Sequence, residues 1–293
     1  MERVSTKEFF EKGCLLGLQI RIWGTERKIR ETEIRAGTAD PEWVKGLKKL
    51  VHKESLAEIK HIANRARGYV YRVSLPFPSW GLNFVPRDLM VEVDSKLTEY
   101  KEEFDYKVDE FLRHWDQYIV EARIRLGNLF REEDYPSAPE DKFSFWWQFL
   151  ELTGPESLTV VSPYTYQKEV EKLVRTLEEA SEVMVMALRE EFINLVEVLS
   201  NGLKTGHMKQ STLDRFEEWL KLFKSRNIFN DTELEMWVER ASNVLRGVTK
   251  EDLKDDNFRE RIHKAFEPVM QFAEENIVRI KRRKIRVPDK SAA

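Results

Sequence analysis

One cysteine, Cys14, stands in a chain of 293 residues. That excludes an intrachain disulfide and any cysteine-rich zinc site, and it fits a reducing cytoplasm. No apolar run approaches the ~18 residues that a membrane span needs, so no membrane partner is expected. The opening Met1-Glu2-Arg3-Val4-Ser5 brings an early acid and no apolar core, which argues against a secretory signal. Net charge is nearly absent: 49 basic residues against 52 acidic ones leave no general field for nucleic acid or an acidic membrane, so any electrostatic partner must be met locally. Glycine is scarce, at 12 residues, which suits long solvated helices and a thermophilic composition alike. Also missing are a glycine-rich loop ending in Gly-Lys-Ser/Thr, a Gly-x-Gly-x-x-Gly turn and a Gly-x-Ser-x-Gly elbow. Phosphate cradling and nucleophile-elbow chemistry therefore have no visible site, and no cofactor is expected.

What is present is helical periodicity. Val93, Leu97, Tyr100, Phe104, Val108, Phe111, Trp115, Tyr118, Ala122, Leu126 and Leu129 follow one another by three or four residues, which puts them on one stripe of a helix. From Arg87 to about Arg131 that helix would be ~65 Å long at ~1.5 Å per residue. A second stripe, Val170, Val174, Leu177, Ser181, Met184, Leu188, Phe192, Leu195 and Leu199, predicts a helix from about Tyr166 to Ser200, with Asn201-Gly202 as its C-terminal cap. Shorter helices are expected over Ser211 to Ser225, over Asp231 to Arg246 with Asp231 as N-cap, and over Asp255 to Arg283. No repeat of fixed period appears, which excludes a solenoid.

The first third is less regular. Cys14, Leu16, Leu18, Ile20 and Ile22 alternate with smaller or polar residues, as a short strand does. A helix is expected from about Pro41 to Tyr71, with Asp40 as N-cap, Trp43 on its apolar face and a break near Lys53. Three prolines and a glycine make Leu75 to Pro86 a loop, pinned to a helix flank by Trp80, Leu82, Phe84 and Val85. After a turn-rich break at Asp134 to Pro139 comes the most aromatic run, Phe143 to Leu150. Burial is the commoner fate of such a run, here as a short helix plugging one end of the bundle. Exposed, it would be a binding surface.

These patterns predict an all-α protein: an elongated helical bundle with a long antiparallel coiled-coil arm and one short β element near the N-terminus. The expected divisions are a mostly helical segment with a Pro-rich loop (1–86), a long helical hairpin with its aromatic plug (87–202, plug 143–150), C-terminal helices (203–286) and a tail (287–293).

Two chemical features can be weighed. Glu58 with His61 and Glu260 with His263 have the Glu-x-x-His spacing by which di-iron carboxylate proteins hold metal on bundle helices. With 52 acids and five histidines, about one such pair is expected by chance, so neither a metal site nor a catalytic residue is assigned. His114 and His207 read as surface or capping histidines. At the other end, Arg279, Lys281, Arg282, Arg283, Lys284 and Arg286 concentrate positive charge. They either contact phosphate or complement the C-terminal end of a helix, and no aromatic interleaves with them to stack on a base.

A resemblance then enters. Leu18-Gln19-Ile20-Arg21-Ile22-Trp23-Gly24 followed by Arg27-Lys28-Ile29, Phe84-Val85-Pro86 leading into the long helix, and Thr212-Leu213 through Arg226-Asn227-Ile228-Phe229-Asn230-Asp231 resemble, in order, a helical family of bacteriophages and mobile elements known as domain of unknown function 3150. Its members are typically encoded beside a MoxR-type AAA+ ATPase and a von Willebrand factor A-domain protein. The resemblance therefore implies a non-catalytic partner of an ATP-driven remodelling machine. It carries no catalytic residues over, and it does not extend to Ile34 to Asp40 or the basic tail.

The expectation is a cytoplasmic, non-enzymatic adaptor that contacts the ATPase through Phe145, Trp146, Trp147 and Phe149, with self-association through the long helices also open. The alternatives are a nucleic-acid-associated phage protein that uses the basic tail and, third, a helical-bundle metal enzyme. On the tail reading, DNA retardation weakens steeply between low and physiological salt and disappears on truncation after Ile277; retardation unchanged by truncation counts against it.

Overall fold

The computed structural model describes residues 6–29, 46–79 and 81–283, with side chains through Asn276. The chain forms two compact units, one of Met1–Leu15, Tyr71–Met90 and Leu150–Ala293, the other of Leu16–Val70 and Val91–Phe149. Most of it is helical, but it is not purely all-α. Where one short β element was expected, six strands among the described residues form a four-stranded sheet of order β4-β5-β1-β6 and a two-stranded sheet, β2-β3. Among the described residues no helix is long and apolar enough to cross a membrane.

The unit of residues 16–70 and 91–149 holds most of β1 (Gly13–Arg21), then β2 (Glu26–Lys28) and β3 (Leu47–Lys49), which pair antiparallel with Arg27 opposite Lys48. Of the helix expected from about Pro41 to Tyr71, the part beyond the break near Lys53 is α2 (Ala57–Val73), entered through a 3-10 turn at Lys53–Leu56, but Leu47–Lys49 before the break is a strand. Tertiary bonds explain the change. The buried Lys48 ammonium donates to Leu129 O at 2.6 Å and meets Asp134 Oδ2 at 2.6 Å, partners that no local helix could provide. Asp40, Pro41 and Trp43 lie outside the described residues.

The first stripe is one face of α3 (Met90–Arg113), where Val93, Leu97, Tyr100, Phe104, Val108 and Phe111 are buried. The single helix expected to Arg131 is interrupted at His114, whose N–H donates to Phe111 O in a tighter i−3 bond. It resumes as α4 (Trp115–Leu126), of which only Ala122 is buried. Gly127, at φ +49°, ends it. Aromatic packing accompanies the interruption: the buried Trp23 ring has Trp115 at 5.0 Å, Tyr135 at 6.2 Å and Phe111 at 6.5 Å between centroids.

The aromatic run is not a helix. It is β6 (Ser144–Leu150), in which Phe145 is buried and Trp146 exposed, so its period is two rather than 3.6. Seven residues rich in aromatics suit a pleated, half-buried surface better than a helical plug. The loop expected over Leu75 to Pro86 is likewise a hairpin of β4 (Leu75–Pro76) and β5 (Asn83–Pro86), with Leu75 opposite Phe84. Phe84 and Val85 are fully buried, whereas Trp80 lies outside the described residues.

The other unit is organised on a long helix. After α1 (Thr6–Phe10) and the four-residue α5 (Leu158–Val161), α6 runs from Pro163 to Thr205. Ser162 caps it, its Oγ accepting from Thr165 N, and Pro163 occupies the first turn. The expected stop at Asn201-Gly202 is passed. Gly202 is a packing position, where a Cβ would meet the Met208 thioether at 2.7 Å, and the left-handed residue is Gly206, at φ +69°. Around α6 lie α7 (Gln210–Arg226), α8 (Thr232–Leu245) and α9 (Asp256–Arg283). Phe192, Phe216, Trp219, Phe266, Val269 and Phe272 fill their common core. A second cluster joins Phe9, Phe10, Leu15, Leu75, Phe77 and Phe84 to Leu177, Ala180 and Met184 of α6.

The two stripes expected to face each other in an antiparallel arm belong to different units, and each is covered within its own. Tyr100 and Phe104 of α3 meet Tyr69 and Phe145, with centroids at 6.1 and 5.6 Å, and Phe192 of α6 stacks on Trp219 at 5.7 Å.

Gly13 is where β1 tolerates no side chain, since a Cβ would lie 2.1 Å from Val85 O and 2.9 Å from the Phe84 ring. Gly13→Ala is expected to destabilise the chain by about 3 kcal/mol, read as a lower urea midpoint. Gly68→Ala, with open space around it inside α2, is expected to raise the midpoint slightly.

Candidate functional site

The alternation of β6 divides the four aromatics expected to bind a partner. Phe145 is an internal anchor, 4% exposed and tilted against Phe104. Trp147 is held from α3: its Nε1–H donates to Asp94 Oδ1 at 2.8 Å, and its ring meets Phe145 edge-on at 6.0 Å. Phe149 is half-buried. Trp146 alone presents a large surface, at 47% exposure. The strand thus displays one tryptophan and fixes its backbone with the two aromatics beside it.

The basic run is placed only in part. Arg279, Lys281, Arg282 and Arg283 continue the α9 backbone without described side chains, and Lys284 and Arg286 lie outside the described residues.

Of the Glu-x-x-His pairs, Glu58 is engaged by Lys107, whose Nζ stands 2.5 Å from Glu58 and 2.8 Å from Glu110. The two carboxylates, Glu110 foremost, push the Lys107 pKa up, and Lys107 in turn holds Glu110 below its ordinary value. Among the described residues no group of three His, Cys, Asp or Glu is placed to hold a metal ion. His114 and His207 turn their Nδ1 atoms to local carbonyls, Glu110 O at 2.9 Å and Thr205 O at 2.7 Å, as capping histidines do. Burial, and then the Glu151 carboxylate 3.5 Å from its Sγ, push the Cys14 thiol up and keep it protonated at neutral pH.

A polar site that no motif suggested lies on α6 and α7. Arg226 is 2% exposed, and its guanidinium donates to Glu191 Oε2 and Oε1, each at 2.7 Å, and to Ser74 O at 3.1 Å. Trp219 Nε1–H adds a bond to Glu191 Oε2 at 2.9 Å. Arg226, Glu191 and Trp219 line a cavity of about 530 Å³ whose other lining includes Tyr71, Arg72, Asn194 and Arg215. One signal was available in the sequence: Arg226 continues the apolar stripe of Leu213, Phe216, Trp219 and Phe223, so a charge on the inner face of α7 required a buried partner. Nearby, Arg189 makes a two-pronged pair with Asp231, at 2.5 and 2.7 Å, and reaches Glu233 at 2.8 Å. Asp231 in particular holds the Arg189 pKa up, against its burial.

A family model described as "Protein of unknown function (DUF3150)" matches residues 10–251. No curated protein and no solved structure matches the chain.

The Arg226 cluster makes a measurable prediction. Arg226→Met leaves the Glu191 carboxylate without its guanidinium and is expected to cost about 3 kcal/mol. Adding Glu191→Leu is expected to restore at least half of that loss in urea denaturation, because the pair is then replaced by apolar contacts.

Proposed function

The chain belongs to the family of unknown function DUF3150, and on that premise we propose that it is a non-enzymatic adaptor of a phage or mobile-element system. It works in the cytoplasm with a MoxR-type AAA+ ATPase and a von Willebrand factor A-domain protein. The observation that supports an interaction role is Trp146: a large aromatic, 47% exposed, on a strand fixed by Phe145 beneath it and by the Trp147–Asp94 bond. Rigid exposed aromatics make good anchors, because they bury much area on binding and lose little side-chain freedom. The choice of partner follows from the segments that resemble the family, at 18–29, 84–86 and 212–231, since members of that family are typically encoded beside such proteins.

The test is capture of the adjacent ATPase and A-domain protein by the purified full chain, with and without nucleotide. Trp146→Ala is expected to weaken capture about tenfold or more, the ~1.4–2 kcal/mol of an anchoring tryptophan, with an unchanged thermal melt. Failure to form a complex in any nucleotide state overturns the reading.

A further inference from the structure

We propose that the outer edge of β6 pairs with β6 of a second copy of this chain, antiparallel about a two-fold axis at Trp147. β6 is the last strand of the sheet order, with β1 its one neighbour. Among the described residues no further strand lies beyond β6 in that sheet. An unpaired row of N–H and C=O groups is a template for another strand, and proteins usually blunt such edges with charge, proline or shortness. The other outer strands here are blunted in those ways. β4 has two residues, the second of them Pro76, and β2 and β3 have three each, Glu-Arg-Lys and Leu-Lys-Lys. β6 has seven residues, Ser-Phe-Trp-Trp-Gln-Phe-Leu, with no charge, proline or glycine.

The order of those residues selects the occupant. Reversed about Trp147, the central residue, the strand sets Phe145 opposite Phe149, Trp146 opposite Gln148 and Trp147 opposite its own copy. Every aromatic then has an aromatic or amphipathic neighbour across the new ladder, the kind of pair that stabilises antiparallel strands. The register also keeps the Phe145, Trp147 and Phe149 faces of both copies on one side of the sheet, whereas a one-residue slip would set one copy's inward set beside the other's outward set. Centring on Trp147 also pairs the full length of the strand. A seven-residue ladder is small beside the ~800 Å² per partner of a standard interface, so the dimer is a reversible one. Trp146 projects from the face of the sheet rather than its edge, so pairing leaves a distinct surface for an unrelated partner.

The experiment is the mass of the full chain alone, by light scattering and sedimentation over a wide concentration range. The expected result is a shift from monomer to dimer as concentration rises. Trp146→Lys combined with Gln148→Lys sets lysine opposite lysine at two places and is expected to weaken the dimer at least about tenfold. Trp146→Lys combined with Gln148→Glu sets the lysine at 146 of each copy opposite the glutamate at 148 of the other, and is expected to restore it. Thermal melts of both double variants, altered only at exposed side chains, confirm that they fold. A monomer at every concentration, a dimer indifferent to the lysine pair, or no recovery in the charge-matched variant overturns the proposal. A monomeric chain that takes a different protein on this strand overturns it as well. Because the readout needs no ATPase, it stands or falls separately from the adaptor role.

Discussion

The buried guanidinium of Arg226 is the constraint around which its unit is arranged. A charge withdrawn from water is tolerable only when it is paired and hydrogen-bonded, and the partners must come from whatever elements lie within reach. Glu191 supplies two oxygens from the middle of α6, and Ser74 supplies a carbonyl just before β4. Trp219, one face of whose ring stacks on Phe192, shares the same carboxylate. One side chain therefore sets the position of α7 on α6 and ties both to the start of the β4–β5 hairpin. Apolar packing alone would let α7 slide by a turn along α6, whereas the fork of Arg226 on Glu191 accepts one position. The second pair, Arg189 with Asp231, does the same for α8 and uses the aspartate that caps that helix, through its bond from Leu234 N.

In the other unit the corresponding constraint is aromatic. Trp23, Phe111, Trp115 and Tyr135 meet with centroids 5.0 to 6.5 Å apart. The cluster lies at the junction of α3 and α4, where the helix is interrupted. Tyr135 donates its hydroxyl proton to Leu50 O at 2.8 Å, and Lys48 reaches Leu129 and Asp134, so the segment after α4 is bonded to the strand that precedes α2. The exposed Trp146 depends on the same rigidity. It is held out because Phe145 and Trp147, on the opposite face of β6, are fixed to α3.

The helices were legible because their information is local. The stripes of Leu213 to Phe223 and Leu234 to Leu245 lie on helices whose ends, Gln210–Arg226 and Thr232–Leu245, fall within a residue or so of those expected, and Asp231 caps as its spacing implied. The C-terminal stop of α6 misled for a definable reason: Asn-Gly is a capping signal, but Gly202 stays helical with the Met208 side chain packed against it, and Gly206, four residues later, adopts the left-handed cap. The β elements were read least well. Leu47–Lys49 and Leu75–Pro76 are too short to show a period, and Phe143 to Leu150, apolar except at Ser144 and Gln148, fits strand and helix patterns alike. Of the candidate site, the importance of the aromatic run was visible in the sequence, but not which of its rings would be exposed.

By itself the sequence determined which faces of the helices are apolar, where several of them begin, and that one aromatic segment and one basic segment stand apart from the rest. A residue's neighbours three and four positions away are enough to specify those properties. The tertiary structure decided that the stripes of α3 and α6 line separate units, that the aromatic segment pairs with β1, and that Trp146 is the ring left in water. It also decided the partners of Arg226 and Lys48. Each of those outcomes joins residues distant in the chain, and pairing and burial at such separations follow from the geometry of the whole fold rather than from any local pattern.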